Sequence, residues 1–133
     1  MDTTRWTSSN PPSPAGLYLH IPFCRSKCSY CDFFSSTDLK QVAAFLAAMA
    51  REIDLRATDA LTFDSIYFGG GTPSLLDGPA VAGLLERLRV RFPILSGTEI
   101  TLEANPGDVS SDRLAAYRRA GVNRLNIGVQ SFR

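Results

Sequence analysis

Apolar residues in this chain follow two rhythms that take turns, one of period two and one near 3.6. From Leu17 to Pro22 the period is two: Leu17, Leu19 and Ile21 share one face of a predicted strand, Tyr18 and His20 the other. Leu39, Val42, Leu46, Met49 and Ile53 then recur at helical spacing, behind an Asp38 and Gln41 pair that resembles a capping box. Ser65 to Phe68 reads as a short second strand that runs straight into Gly69, Gly70, Gly71, Thr72 and Pro73. Pro79 opens a second helix, which buries Val81, Leu84, Leu85, Leu88 and Phe92 and stops at Pro93. In a third strand, Glu99 to Ala104, Ile100, Leu102 and Ala104 face one way and Thr101 and Glu103 the other, before Asn105, Pro106 and Gly107 break it. A third helix fits Ser111 to Ala120, with Gly121 as its left-handed stop. The fourth strand, Arg124 to Gln130, alternates Leu125, Ile127 and Val129 with Asn126, Gly128 and Gln130.

Strands alternating with helices through short loops predict α/β architecture: a parallel sheet with right-handed crossovers. Ligands in such sheets and barrels bind beyond the C-terminal strand ends. Here those ends carry a cysteine loop, a GGGTP turn, Glu103 and Gln130, so four separate stretches converge on one rim.

Composition narrows the classes. With 133 residues and 44% hydrophobic content the chain suffices for one packed domain but is short for a barrel. A formal charge of +1 is too balanced to predict binding to nucleic acid or an anionic membrane, and no run is long and apolar enough to span a bilayer. Residues 1–15, rich in Ser, Thr and Pro, read as a disordered leader without the apolar core of a signal peptide, leaving 16–133 as the folded part.

Cys24, Cys28 and Cys31 are the only cysteines. An odd, tightly clustered set argues against a disulfide framework and for metal binding in a reducing compartment, with the cytoplasm as the default. Spaced CxxxCxxC, three soft thiolates can grip three corners of a cubane cluster, leaving its fourth iron open; the plainer alternative is a structural zinc site with His20 as the fourth ligand, although a histidine inside a strand must still reach the loop to complete it. Other residues have plainer readings: Gly69 to Gly71 as a flexible turn, Tyr18 as a core aromatic, and Glu103 as a solvated carboxylate or the ion-pair partner of Arg124. Arg25 and Lys27 read as solvated, and Arg87, Arg89, Arg91, Arg118 and Arg119 as exposed helix faces that need no partner.

The stretches LYLHIPFCRSKCSYCDF, YFGGGTPS, TLEANP and NRLNIGVQSF, in this order and separation, resemble the radical S-adenosylmethionine (radical SAM) proteins, and among them the oxygen-independent coproporphyrinogen III oxidase family. The resemblance implies the N-terminal portion of a partial (β/α)6 barrel, parallel strands inside and helices outside, with about three βα units plus a fourth strand. It implies that Cys24, Cys28 and Cys31 hold a [4Fe-4S] cluster whose open iron is chelated by S-adenosylmethionine. It places Tyr18 near the cluster-bound cofactor, the Tyr30 backbone at its adenine, and Gly70, Gly71 and Thr72 at its methionyl end. Glu103 and Gln130 match polar residues that hydrogen-bond it. In the family, an electron passed through the cluster cleaves the cofactor to methionine and a 5′-deoxyadenosyl radical.

The porphyrinogen-decarboxylating branch has another cysteine two positions after the third ligand, where this chain has Phe33. CDF and the GVQSF ending resemble instead the haem chaperone branch, which binds haem and passes it to acceptor proteins. That branch is the favoured expectation. The alternatives are a coproporphyrinogen III oxidase and, further off, a structural zinc domain. Because the family barrel needs about six strand-helix units, the chain is expected to be a fragment. The haem or porphyrin site would then lie in a missing C-terminal part, with electron donor and acceptor protein unspecified.

Overall fold

Each period-two stretch is a strand and each period-3.6 stretch a helix in the computed structural model of the chain, which describes residues 13–129 and 131. The expected leader falls largely outside the described residues, and so does Gln130. In chain order the elements are β1 (Ala15–Ile21), α1 (Val42–Leu55), β2 (Phe63–Gly70), α2 (Gly78–Arg91), β3 (Ile94–Ala104), α3 (Ser111–Ala120) and β4 (Arg124–Ile127). The strands form one four-stranded sheet in the order β1-β2-β3-β4, every neighbouring pair parallel.

Alternation sorts the sheet into two chemically distinct faces. Leu19, Ile21, Ile66, Phe68, Ile100, Leu102 and Ala104 are buried with Ile53 of α1, Val81, Leu84, Leu85 and Leu88 of α2, and Tyr117 and Ala120 of α3. Each large apolar side chain taken out of water there contributes about 1.5–3 kcal/mol. The other face presents Tyr18, His20, Tyr67, Glu103 and Asn126, brought side by side by the register pairs Tyr18↔Tyr67, Tyr67↔Thr101 and Glu103↔Asn126.

Several boundaries differ from the sequence reading for local reasons. β3 starts at Ile94 rather than Glu99, because Gly97, at φ 79°, interrupts the alternation that would have announced it. β2 begins at Phe63, which pairs with Ile94 before the register shifts to Ser65↔Glu99. Asp38 and Gln41 do not form a capping box. The Asp38 carboxylate accepts the Lys40 N–H at 3.2 Å and the Gln41 side-chain amide at 2.9 Å, closing a 3-10 turn (Leu39–Gln41) ahead of α1. Gly121 does stop α3 in the left-handed region, at φ 116°, with its N–H donating to the Tyr117 and Arg118 carbonyls.

The arginines on α2 are not all solvated. Arg87 and Arg91, one turn apart, both donate to Asp54 near the end of α1, at 2.7 and 2.8 Å. The hydrogen bond from Arg87 is the largest influence holding the Asp54 carboxyl down from 3.8 to about 2. A depressed carboxylate pKa stabilises the fold above the unfolded value and loses that contribution as pH falls through the folded one. The clamp is therefore expected to be fully present above about pH 4 and lost on approach to pH 2. Urea unfolding of the wild type and Asp54→Asn should differ at pH 5 and converge near pH 2; an equal difference at both would refute it.

Candidate metal and cofactor site

The cysteine loop leaves β1 at Pro22 and returns to the sheet at Ser36, so its two ends are neighbours. Ser36 N–H donates to the Pro22 carbonyl at 2.6 Å, and Cys24 N–H to the Ser36 carbonyl at 3.0 Å, which closes the loop at its stem. A second pair of bonds ties this stem to the turn after β2: Gly71 N–H to Ile21 O at 2.8 Å and Thr72 N–H to Phe23 O at 2.7 Å. The approach is so close that a Cβ on Gly71 would lie 2.6 Å from the Phe23 carbonyl oxygen. Gly70, at φ 110°, has the His20 ring where its Cβ would be. The glycine tract thus serves first to bring two segments of the protein itself together.

Cys24, Cys28 and Cys31, all free thiols, line one cavity of about 550 Å³ together with Tyr30, Gly70, Gly71 and Thr72. The Thr72 hydroxyl reaches the Cys24 sulfur at 3.5 Å, fixing the first thiol against the β2 turn. Tyr30 is 71% exposed and sits beside the other two. A hydrogen bond with the Cys28 side chain pushes its phenol above the ordinary range, with the charges of Cys28 and then Cys31 acting in the same direction.

Asp108, after β3, also lines the cavity, but its carboxylate is engaged: Arg25 Nε donates to it at 3.3 Å, Ser74 Oγ at 3.3 Å and Asn105 Nδ2 at 3.4 Å. Arg25, read from sequence as solvated, therefore ties the cysteine loop to the β3 rim.

The donor set fits an iron–sulfur cluster. Three soft sulfurs share the cavity, and the one carboxylate on its wall is held by other partners. Ser35 lines the same cavity with a buried hydroxyl that has no hydrogen-bond partner among the described residues, a polar atom that a bound group would satisfy. Among the described residues no three ligand-type side chains already converge on a point where an ion could sit. The zinc reading loses its fourth ligand. His20 Nε2 lies 3.3 Å from the Phe34 carbonyl, Nδ1 lies 3.1 Å from the Tyr18 hydroxyl, and the ring is not on the cavity wall. A carbonyl only accepts, so in the neutral ring Nε2–H donates and Nδ1 takes the Tyr18 O–H.

Glu103 stands on the next strand end, lining a smaller cavity of about 190 Å³ that shares Gly71, Thr72 and Asn105 with the first. It does not pair with Arg124, which reaches Glu99 at 3.3 Å instead. Its Oε1 accepts the Tyr67 phenol O–H at 2.6 Å, and Asn126 Nδ2 donates to the same phenol oxygen at 2.8 Å. Burial raises the Tyr67 pKa, and the bond to Glu103 raises it further. Tyr18 lies outside the cysteine cavity, stacked on Tyr67 with ring centroids 6.1 Å apart. Burial, then the Glu103 charge, raises its pKa. The structure thus gathers Cys24, Cys28, Cys31, Tyr30, Gly70, Gly71 and Thr72 around one cavity, with Glu103 adjoining. Tyr67, Asn105 and Asp108 join them through hydrogen bonds; Tyr67 and Asn105 stand in the YFGGGTPS and TLEANP stretches but carry no site role in the sequence reading, and Asp108 lies in neither.

A parallel α/β sheet with a three-thiol loop beyond its first strand and a glycine turn beyond its second brings soft donors and close-approach backbone to one rim, a chemistry suited to a metal cluster and a small cofactor. The family model of the radical SAM superfamily matches residues 18–133, and the chain belongs to that superfamily. Membership implies a [4Fe-4S] cluster and S-adenosylmethionine as cofactors. The chain is 46% identical to "Heme chaperone HemW" of Escherichia coli over 90% of its own length and 32% of the relative's. It is 41% identical to the protein of that name in Mycobacterium tuberculosis, over 91% and 33%. It is 42% identical to the mouse "Radical S-adenosyl methionine domain-containing protein 1, mitochondrial", over 92% and 30%. The chain spans about a third of the length of these curated relatives. Among solved structures, the E. coli coproporphyrinogen III oxidase HemN, described as a radical SAM enzyme, superposes with a TM-score of 0.83 at 34% identity, over 95% of this chain and 30% of that one. The α/β fold expected from the resemblance, the N-terminal portion of a radical SAM partial barrel, is therefore the one observed.

Proposed function

We propose that residues 16–133 form the N-terminal part of a radical SAM core domain in a haem-handling protein, and that the whole protein binds haem and passes it to acceptor proteins. The observation that carries the cofactor part of this reading is the cavity itself, lined by three free thiols and by the glycine turn that follows β2. Phe33, standing where the oxidase branch has another cysteine, favours the chaperone branch over porphyrinogen oxidation, as do the relatives named heme chaperones.

Cys24, Cys28 and Cys31 would hold the cluster, with Tyr30, Gly70, Gly71, Thr72 and Glu103 contacting S-adenosylmethionine. The phenol of Tyr18 would approach from the open sheet face, and Gln130 keeps the cofactor role that the family resemblance gives it. When bound, this pair of cofactors supplies one-electron chemistry. The chain's own residues grip and orient. The loop stem is fixed by Gly71 and Thr72, the first thiol is steadied by Thr72, and Arg25 and Asp108 hold the loop against β3. The clustered reduced thiols suit a reducing compartment, in keeping with a cytoplasmic protein. No helix among the described residues is long and apolar enough to cross a membrane.

Anaerobic reconstitution with iron and sulfide, followed by absorbance and paramagnetic resonance with and without S-adenosylmethionine, tests the site. A cluster signal that shifts on cofactor addition is expected, and a colourless, zinc-loaded protein would refute the assignment. Incubating the full protein with reductant, S-adenosylmethionine and coproporphyrinogen III tests the role. Stable haem binding without turnover is expected; release of protoporphyrinogen IX would replace the chaperone reading with the oxidase.

A further inference from the structure

Glu103 can receive a donor from a bound cofactor only if its carboxylate is held in one orientation, and the side chain that holds it is on the page. Tyr67 faces Thr101 in the β2–β3 register, one step along the strand from Glu103 on the same face, and its phenol reaches the Glu103 Oε1 at 2.6 Å. The ring is fixed in two further ways. Asn126, directly opposite Glu103 on β4, donates to the phenol oxygen at 2.8 Å, and Tyr18 stacks on the ring from β1 with planes inclined by 22°. Gly69 makes room for both aromatics, since a Cβ there would lie 2.9 Å from an atom of each ring.

We infer that Tyr67 is a positioning residue for the cofactor site: by fixing Oε1 it presents the rest of the Glu103 carboxylate to the cavity bounded by Gly71, Thr72 and Asn105, where an ammonium or hydroxyl donor would be received. This rests on the reading of Glu103 as a cofactor contact. Four strands then act on one carboxylate, β1 through stacking, β2 through the phenol, β3 through its own backbone and β4 through the amide.

The test is the dissociation constant for S-adenosylmethionine, measured by equilibrium dialysis on the full, cluster-loaded chain for the wild type, Tyr67→Phe, Glu103→Ala and the double variant. Tyr67→Phe keeps the stack and deletes the charge-assisted hydrogen bond to Glu103 together with the one from Asn126, so binding should weaken about tenfold with iron content unchanged. In the Glu103→Ala background the same change should have no further effect, because the group through which Tyr67 acts is gone. If Glu103→Ala weakens binding and Tyr67→Phe does not, the positioning role is overturned while Glu103 keeps its assignment. Additive losses in the double variant also overturn it, as they would reveal a separate contact. If Glu103→Ala leaves binding unchanged, both readings fall.

Discussion

Gly71→Ala should both destabilise the fold and cut the iron and sulfide that the cysteine loop takes up on reconstitution. The added methyl would lie 2.6 Å from the Phe23 carbonyl oxygen and 2.9 Å from its nitrogen, and these are backbone atoms that cannot rotate away. To relieve the overlap, the β2 turn and the loop stem must separate. That movement breaks the Gly71-to-Ile21 and Thr72-to-Phe23 hydrogen bonds and draws the Thr72 hydroxyl from the Cys24 sulfur. Overpacking against a rigid neighbour costs about 1–3 kcal/mol. The broken pair of buried backbone bonds adds to it, at about 1 kcal/mol each. Urea unfolding should show a loss of about 3–5 kcal/mol, and reconstituted iron and sulfide should fall by more than half. Gly83, in the middle of α2 with nothing within 4 Å of its would-be Cβ, is the control, since alanine there should leave metal content unchanged. Wild-type stability and full iron content in Gly71→Ala would mean that the close approach is not what builds the site.

Cys28→Ser separates the two effects that Gly71→Ala combines. Cys28 is exposed and belongs to no buried cluster, so exchange of its sulfur for oxygen should move stability by no more than about 0.5 kcal/mol. A hydroxyl does not ionise near neutral pH and is a hard donor, whereas iron in a cubane cluster requires soft thiolate. With only Cys24 and Cys31 left, cluster absorbance and paramagnetic signal after reconstitution should fall at least tenfold, while the urea midpoint of the metal-free protein stays where it was. A variant that retains a wild-type cluster signal would remove Cys28 from the ligand set.

Much of this was legible in the sequence, and the limits of legibility have a physical pattern. Leu17, Leu19 and Ile21 announce β1 because a half-buried strand imposes its period directly on the residues, and Gly121 announces the end of α3 because few other residues accept its backbone angle. The three thiols are legible because their spacing is local. Interactions that depend on which strand lies beside which are not. Glu103 could be read as a strand-end carboxylate, yet its partner is Tyr67, set by the β2–β3 register, and Arg124 goes to Glu99. Asp54 with Arg87 and Arg91, or Arg25 with Asp108, join charges more than thirty residues apart through the packing of whole elements. The beginning of β3 was hidden for a different reason, since a glycine in the left-handed region disrupts the alternation while the backbone still pairs.

Because the sheet's spatial order repeats its chain order, β1-β2-β3-β4, each strand docks on the one synthesised just before it. Among the described residues, no strand waits for a distant segment to be translated. The stem of the cysteine loop is completed once Gly71 and Thr72 have followed β2, before β3 and β4 are made. The stem of the proposed metal site can thus take shape as the chain leaves the ribosome, before the rest of the sheet is complete.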